Sequence, residues 1–161
     1  MVSVGDTLPA GTLFEMTGEG PKAVETPGLF EGKTVALFGV PGAFTPTCHN
    51  THVPSFVAAA ETLGGKGVDN IICISVNDPF VMANWSEATG AGEAGIRMLG
   101  DADASWTQAL GLDFDGSAVG LGTRAKRFSA LIENGSVKVL NVEDAPGEAT
   151  CTLGEVLVDQ I

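Results

Sequence analysis

Positive charge is scarce in this chain: eight Lys and Arg stand against twenty Asp and Glu, for a formal net charge of −12. Phosphate backbones and anionic membrane surfaces repel such a molecule, which argues against a nucleic-acid or polybasic-membrane role. The acidity reads as a solubilising surface, and selection of a basic partner is the sharper alternative. Cysteine is sparse too. Cys48, Cys73 and Cys151 are an odd number and too few to staple a secreted scaffold. No apolar run approaches the ~18 residues needed to span a bilayer, and no basic start followed by an apolar stretch marks a signal peptide. The first arginine is Arg97, which leaves no attached Arg-rich transit peptide. A chain that had already lost such a peptide would read the same way. Internal repeats and low-complexity tracts are absent as well.

What is present is an ordinary globular composition, 44% hydrophobic and 17% charged over 161 residues. That length suits one domain, residues 1–161, with a substantial core. Val4 to Pro9 reads as extended and turn-rich, and Glu19-Gly-Pro21 as a turn. Thr34 to Val40 is a continuous apolar run, expected of a strand buried on both faces, and Pro41-Gly42 ends it. After a loop, Val53, Phe56, Val57, Ala60 and Leu63 fall on one helix face, with Gly64-Gly65 as the stop. Ile71 to Val76 predicts a second buried strand, and Asn77-Asp78-Pro79 caps a helix carrying Phe80, Val81, Met82 and Trp85. Met98-Leu99 predicts a short strand and Ala104 to Leu110 a short helix. Arg127 to Ile132 and Val137 to Val142 flank Glu133-Asn-Gly-Ser136, a strong hairpin signal, and Leu153 to Ile161 predicts a closing helix. Strand, helix, strand, helix and then a hairpin imply parallel pairing through helical crossovers, with antiparallel strands added to the same sheet. The expected class is α/β, a central mixed sheet flanked by helices.

Cys48 carries the chemistry. Thr45 is placed to cap a helix and Pro46 fits its first position, so Cys48 falls in the first turn. Free backbone N–H groups and the positive end of the helix dipole favour an anion there. A thiolate is such an anion, and only the thiolate is a good nucleophile. A free cysteine is more often packed as a small apolar residue, but Thr-Pro-Thr-Cys opening a helix after a buried strand is a specific arrangement. Cys48, His49 and His52 raise a zinc reading. A structural zinc site normally takes four ligands, and no second Cys/His cluster lies nearby, so no metal is expected. His52 is read instead as a brace for the loop.

Pro41-Gly-Ala-Phe-Thr-Pro-Thr-Cys48 resembles the active-site pattern of the peroxiredoxins, Pro-x-x-x-Thr-x-x-Cys. Phe38 to Pro54, Ile74-Ser-Val-Asn-Asp-Pro-Phe80, Lys126-Arg-Phe-Ser129 and Leu140-Asn-Val-Glu143 are similar to the type II, or peroxiredoxin-five-like, branch, so the likeness spans nearly the whole chain. The resemblance implies a thioredoxin-like fold and a thiol peroxidase acting on hydrogen peroxide and organic hydroperoxides, with no cofactor. It implies Cys48 as the peroxidatic cysteine, Thr45 bonded to thiolate and peroxide, Pro41 shielding the sulfur and Arg127 stabilising charge. Without it Arg127 is not distinguishable from Arg124, which is equally a surface charge or a supporting group.

Attack on peroxide leaves a sulfenic acid, which condenses with a second thiol. Cys151 matches the C-terminal resolving cysteine of the atypical two-cysteine proteins, and Cys73 matches the cysteine of the plant-like branch. Cys73 sits in an apolar strand, where an inert thiol is expected, and Cys151 follows a glycine-containing loop, so Cys151 is the favoured partner. Glutathione or glutaredoxin is a third route, and thioredoxin or glutaredoxin/glutathione is the implied reductant. A homodimer with contact near the active-site end is implied by the same resemblance. A soluble intracellular protein is expected, in the cytosol or, as a matured chain, in the chloroplast or mitochondrion. Two other readings compete. A thiol–disulfide oxidoreductase usually shows Cys-x-x-Cys, and here Thr45 stands three residues before Cys48. A non-catalytic redox sensor, chaperone or binding module on the same scaffold would oxidise without turnover.

Overall fold

The computed structural model describes residues 1–161. From the N-terminus, β1 (Thr12–Thr17) and β2 (Gly20–Glu25) form a hairpin, followed by a short helix α1 (Thr26–Phe30). β3 (Thr34–Val40) leads through a loop to a helical segment, where a five-residue π-turn (Cys48–His52) runs into α2 (Val53–Gly65). β4 (Asn70–Ser75), α3 (Pro79–Thr89), β5 (Ile96–Gly100) and α4 (Ser105–Leu110) follow. A small ribbon of β6 (Asp113–Asp115) and β7 (Thr123–Ala125) precedes the hairpin β8 (Phe128–Glu133) and β9 (Ser136–Val142), and α5 (Gly154–Asp159) closes the chain.

Seven strands form one sheet in the order β2-β1-β5-β4-β3-β8-β9. β3, β4 and β5 are parallel, while β8 runs antiparallel to β3 and β1 antiparallel to β5. Side chains of the central strands alternate between two apolar clusters, as a period of two requires. Ala36, Phe38, Val40, Ile71 and Cys73 join Phe56, Leu63 and Trp85 on one face. Val35, Leu37, Ile72 and Ile74 join Leu29, Phe30 and Trp106 on the other. Both faces are covered, which is why the sequence of these strands is apolar throughout rather than alternating. Phe38 and Phe56 stack with ring centroids 4.0 Å apart and fix α2 on β3. Each such side chain contributes roughly 1.5–3 kcal/mol through burial.

Several local expectations hold. Asp78 accepts a bond from Val81 N at 2.9 Å and caps α3. Asn134 and Gly135 take φ of 47° and 77°, the pair of positive values that a two-residue hairpin turn needs. β1, β2, α1, β6 and β7 go beyond the sequence reading. β1 and β2 lie at the sheet edge with mostly part-exposed side chains, so neither a long apolar run nor a clean alternation marks them. Pro21 is tolerated inside β2 because that strand is outermost.

Candidate active site

β3 delivers the chain to Pro41 at its C-terminal end, and the helical segment that returns carries Cys48. His49 N bonds to Thr45 O at 2.9 Å, so the Thr45 carbonyl does open the helix. The expected side-chain cap does not form. Thr45 Oγ1 donates to Gly42 O at 2.7 Å instead. The hydroxyl proton is thereby committed to the loop, leaving the oxygen's lone pairs free to accept. Pro54 has no N–H to give to Asn50, and the turn before it opens so that Val53 N reaches Cys48 O. Single π-turns of this kind recur at functional sites.

Cys48 is fully buried. Arg127, on the residue before β8 and itself buried, places Nη2 at 3.3 Å from Cys48 Sγ and at 2.8 Å from Pro146 O. Its Nη1 lies 3.1 Å from His52 Nδ1, and Nε has no partner. No carboxylate pairs with this guanidinium, since the only salt bridge joins Arg97 to Glu15. Its charge is therefore left to act on the sulfur. Arginine only donates, so His52 Nδ1 accepts and the ring proton sits on Nε2, which donates to Thr152 O at 2.9 Å. Burial, and then the Arg127 charge, push the His52 pKa down to about 3, so the ring is neutral.

A second network ties the C-terminal loop to this cage. Glu143 accepts five bonds: from Thr150 N and Oγ1 at 2.6 and 3.0 Å, from Cys151 N at 2.9 Å, and from Thr152 N and Oγ1 at 3.1 and 2.9 Å. Burial works against the Glu143 carboxylate, but bonds from Thr150 and Thr152 overcome it and hold its pKa down to about 2. Thr47 Oγ1 donates to Gly147 O at 3.1 Å. Glu143 belongs to a stretch that the sequence marks only by resemblance. Its signal was a glutamate closing a strand ahead of paired threonines, and the partners lie too far along the chain for spacing to reveal them.

The three thiols occupy different settings. Cys73 is fully buried on β4 in the apolar cluster that also contains Cys48. Burial, and then Cys48, push its thiol pKa well up. Cys151 is half-buried with Sγ 3.6 Å from Val142 O, and burial and the Glu143 charge raise its pKa. It rides on the segment whose Thr152 carbonyl holds His52.

The loop from Pro41 to Thr45 is held from two sides. Asn77 Oδ1 accepts from Ala43 N at 3.0 Å and from Ser75 Oγ at 2.6 Å. Arg124 Nη1 donates to Pro41 O at 3.2 Å. Thus the Pro41–Thr45 loop, Cys48 and Arg127 lie at one end of the sheet with Arg124 bonded to that loop, but the Thr45 hydroxyl bonds to Gly42 O and not, as the resemblance implied, to the sulfur. The two histidines do not form a metal site with Cys48. Both His52 nitrogens are engaged, and His49 Nδ1 accepts from Trp85 Nε1 at 3.0 Å. No group of three or more His, Cys, Asp or Glu side chains gathers around a metal-sized space.

A buried cysteine at a helix start, with an uncompensated arginine on its sulfur, is built to attack an electrophile and to stabilise the charge that leaves. The Redoxin family model matches residues 3–157. Peroxiredoxin-2C of Oryza sativa subsp. japonica is 48% identical over 158 residues, covering 98% of this chain and 96% of the relative. The chloroplastic peroxiredoxin-2E-2 of the same plant is 44% identical over 160 residues, covering 97% of this chain and 71% of its own length. Among solved structures, reduced Prx3 of Vibrio vulnificus in complex with hydrogen peroxide superposes with a TM-score of 0.94 at 46% identity, covering 99% of both chains. This chain belongs to the Redoxin family and, within it, to the type II peroxiredoxins, which are thiol-dependent peroxidases with a thioredoxin fold.

Proposed function

We propose that the chain reduces hydrogen peroxide and small organic hydroperoxides through a sulfenic acid on Cys48. The observation that carries this reading is the contact of Arg127 Nη2 with Cys48 Sγ at 3.3 Å, with no carboxylate paired to that arginine. The thiolate attacks one peroxide oxygen and the O–O bond breaks. Sulfur is oxidised to S–OH, and the departing oxygen, reduced, takes a proton and leaves as water or alcohol. Arg127 faces the charge that grows on the departing oxygen, which is where a fixed donor lowers a barrier most. Thr45, its proton held by Gly42 O, accepts from the O–H of the incoming hydroperoxide. The Vibrio relative, crystallised with hydrogen peroxide, supports the substrate class.

The sulfenic acid then condenses with a second thiol, releasing water, and the resulting disulfide is reduced by thioredoxin or by glutaredoxin and glutathione. Cys151 is the proposed resolving thiol because it is part-exposed on a loop bonded to the His52–Arg127 cage, with Cys73 as the alternative in the shared cluster. A reducing intracellular compartment, cytosol or organelle, suits a catalyst that cycles through free thiols. A homodimer meeting near the active-site end goes with this reading, supported by the exposure of Phe44 and Phe80 there.

The test is peroxide consumption with a reductant present, followed by mass mapping after one equivalent of peroxide. Cys48→Ser is expected to abolish turnover, and retained turnover would sink the mechanism. A Cys48–Cys151 disulfide is expected. An intramolecular Cys48 disulfide that persists in Cys151→Ser assigns resolution to Cys73. Oxidation that saturates without reductant-driven turnover points to a sensor instead.

A further inference from the structure

Arg124 has no carboxylate partner in a chain with twenty Asp and Glu. Half-buried, it directs its donors at two main-chain carbonyls: Nε to Leu121 O at 2.9 Å and Nη1 to Pro41 O at 3.2 Å. The guanidinium thereby joins the β6–β7 ribbon to the first residue of the loop that leads to Cys48. It also packs onto Gly42, where a Cβ would lie 2.7 Å from Arg124 Nη1 and 3.1 Å from Thr45 Cγ2. Gly42 O in turn accepts both Thr45 N at 3.3 Å and Thr45 Oγ1 at 2.7 Å. A continuous path of contacts therefore runs from Arg124 through Pro41 and Gly42 to the Thr45 hydroxyl. Between them Phe44 sits at φ 61°, a conformation that a side-chain-bearing residue holds only when its surroundings impose it. Asn77 imposes it from one side, at Ala43 N. Arg124 imposes it from the other.

We infer that Arg124 is a positioning residue for peroxide reduction, fixing the Pro41–Thr45 loop so that Thr45 Oγ1 receives the hydroperoxide in line with Cys48. The inference rests on the peroxidase reading above. Arg124 acts through the loop and does not touch the sulfur: Arg127, not Arg124, bonds to Cys48. Glycine at 42 belongs to the same device, because only a residue without a Cβ lets the guanidinium lie against the loop.

Two reactions of Cys48 separate this role from others. Oxidation by hydrogen peroxide needs the loop, whereas alkylation by iodoacetamide, followed on the Cys48 peptide by mass spectrometry, reads the thiolate and access to it without the Thr45 hydroxyl. Both rates are measured on the purified full chain, on Arg124→Ala, on Gly42→Ala and on the double variant. Each single change is expected to slow peroxide oxidation by about 10- to 100-fold, the cost of a displacement on the order of 1 Å, and to leave alkylation unchanged. The double variant is expected to be no slower than Gly42→Ala, because the alanine Cβ acts on the guanidinium at 2.7 Å and on Thr45 Cγ2 at 3.1 Å, and losing Arg124 adds nothing to that. An unchanged peroxide rate in Arg124→Ala overturns the inference alone, as do equal falls in both rates or losses that multiply in the double variant. Should Arg124→Ala not fold, Gly42→Ala decides: a peroxide-to-alkylation ratio equal to that of the unmodified chain overturns the inference. Failure of peroxide to oxidise Cys48 in the unmodified chain overturns the peroxidase reading itself, and this inference with it.

Discussion

Arg127 gives its two terminal nitrogens to three different acceptors, the Cys48 sulfur, the Pro146 carbonyl and the His52 ring. Such a fork depends on planar geometry as much as on charge. Arg127→Gln is expected to slow Cys48 oxidation by about 10²- to 10³-fold, and Arg127→Lys to fall between that and the unmodified chain, as stopped-flow tryptophan fluorescence would record. An equal rate in Lys and Arg forms would show that charge alone suffices. His52 makes the cage sensitive to acid. Its folded pKa is about 3 against 6.5 in an unfolded chain, so across that window the unfolded state binds a proton that the folded state refuses. Its contribution to stability is complete above pH 6.5 and is lost as the pH falls toward 3, with a slope of up to about 1.4 kcal/mol per pH unit. Glu143 adds a loss of the same sign from 4.5 down to about 2. Urea unfolding of His52→Asn between pH 6.5 and 4.5 should show a flatter profile than the unmodified chain. A parallel profile would mean that another group sets the slope. Cys48 and its place in a first helical turn were legible in the sequence, because Thr-Pro-Thr-Cys is a local signal. His52 was legible only as a brace, since Arg127 lies 75 residues away and no spacing records that contact.

The elements that hold the site follow from local signals where these are strong. The buried strands, the Asp78 cap and the Asn134-Gly135 turn are each written in a few adjacent residues. The π-turn was not foreseen, although Pro54 shortly after Cys48 contains its cause. The edge strands were missed because half-exposed, mixed side chains carry no period. α5 meets α2 through Gly154, where a Cβ would lie 2.5 Å from Ser55 O, and Gly154 N donates to Ser55 Oγ at 2.9 Å. Gly154→Ala should force these helices apart at a cost of about 1–3 kcal/mol, read as a lower urea midpoint. An unchanged midpoint would show that α5 shifts freely on α2. Since α5 directly follows the loop that carries Cys151 and Thr152, the same variant loosens the anchor of His52.

At the scale of the whole molecule the net charge of −12 surrounds a site in which Arg124 and Arg127 have no acidic partner and Glu143 is tied into the neighbouring loop. Hydrogen peroxide is neutral and should react at a rate independent of salt. Glutathione is anionic at neutral pH, and its rate of attack on the oxidised chain should rise as the screening length falls from about 30 Å to about 8 Å between roughly 0.01 and 0.15 M salt. A glutathione rate that falls with salt would place a cationic dock around the site. The complete burial of Cys48 has one more consequence, for the order of events in a turnover. A sulfur with no exposed surface is out of reach of another protein's thiol, so on the proposed mechanism its reduction requires the Cys48–His52 turn to move. The wait for that movement is a timer. On the proposed mechanism a second peroxide would compete during it for the sulfenic acid and carry it on to the sulfinic acid, so the expected outcome is that variants with a slower turn movement lose activity at lower peroxide concentration, as repeated-turnover assays would record.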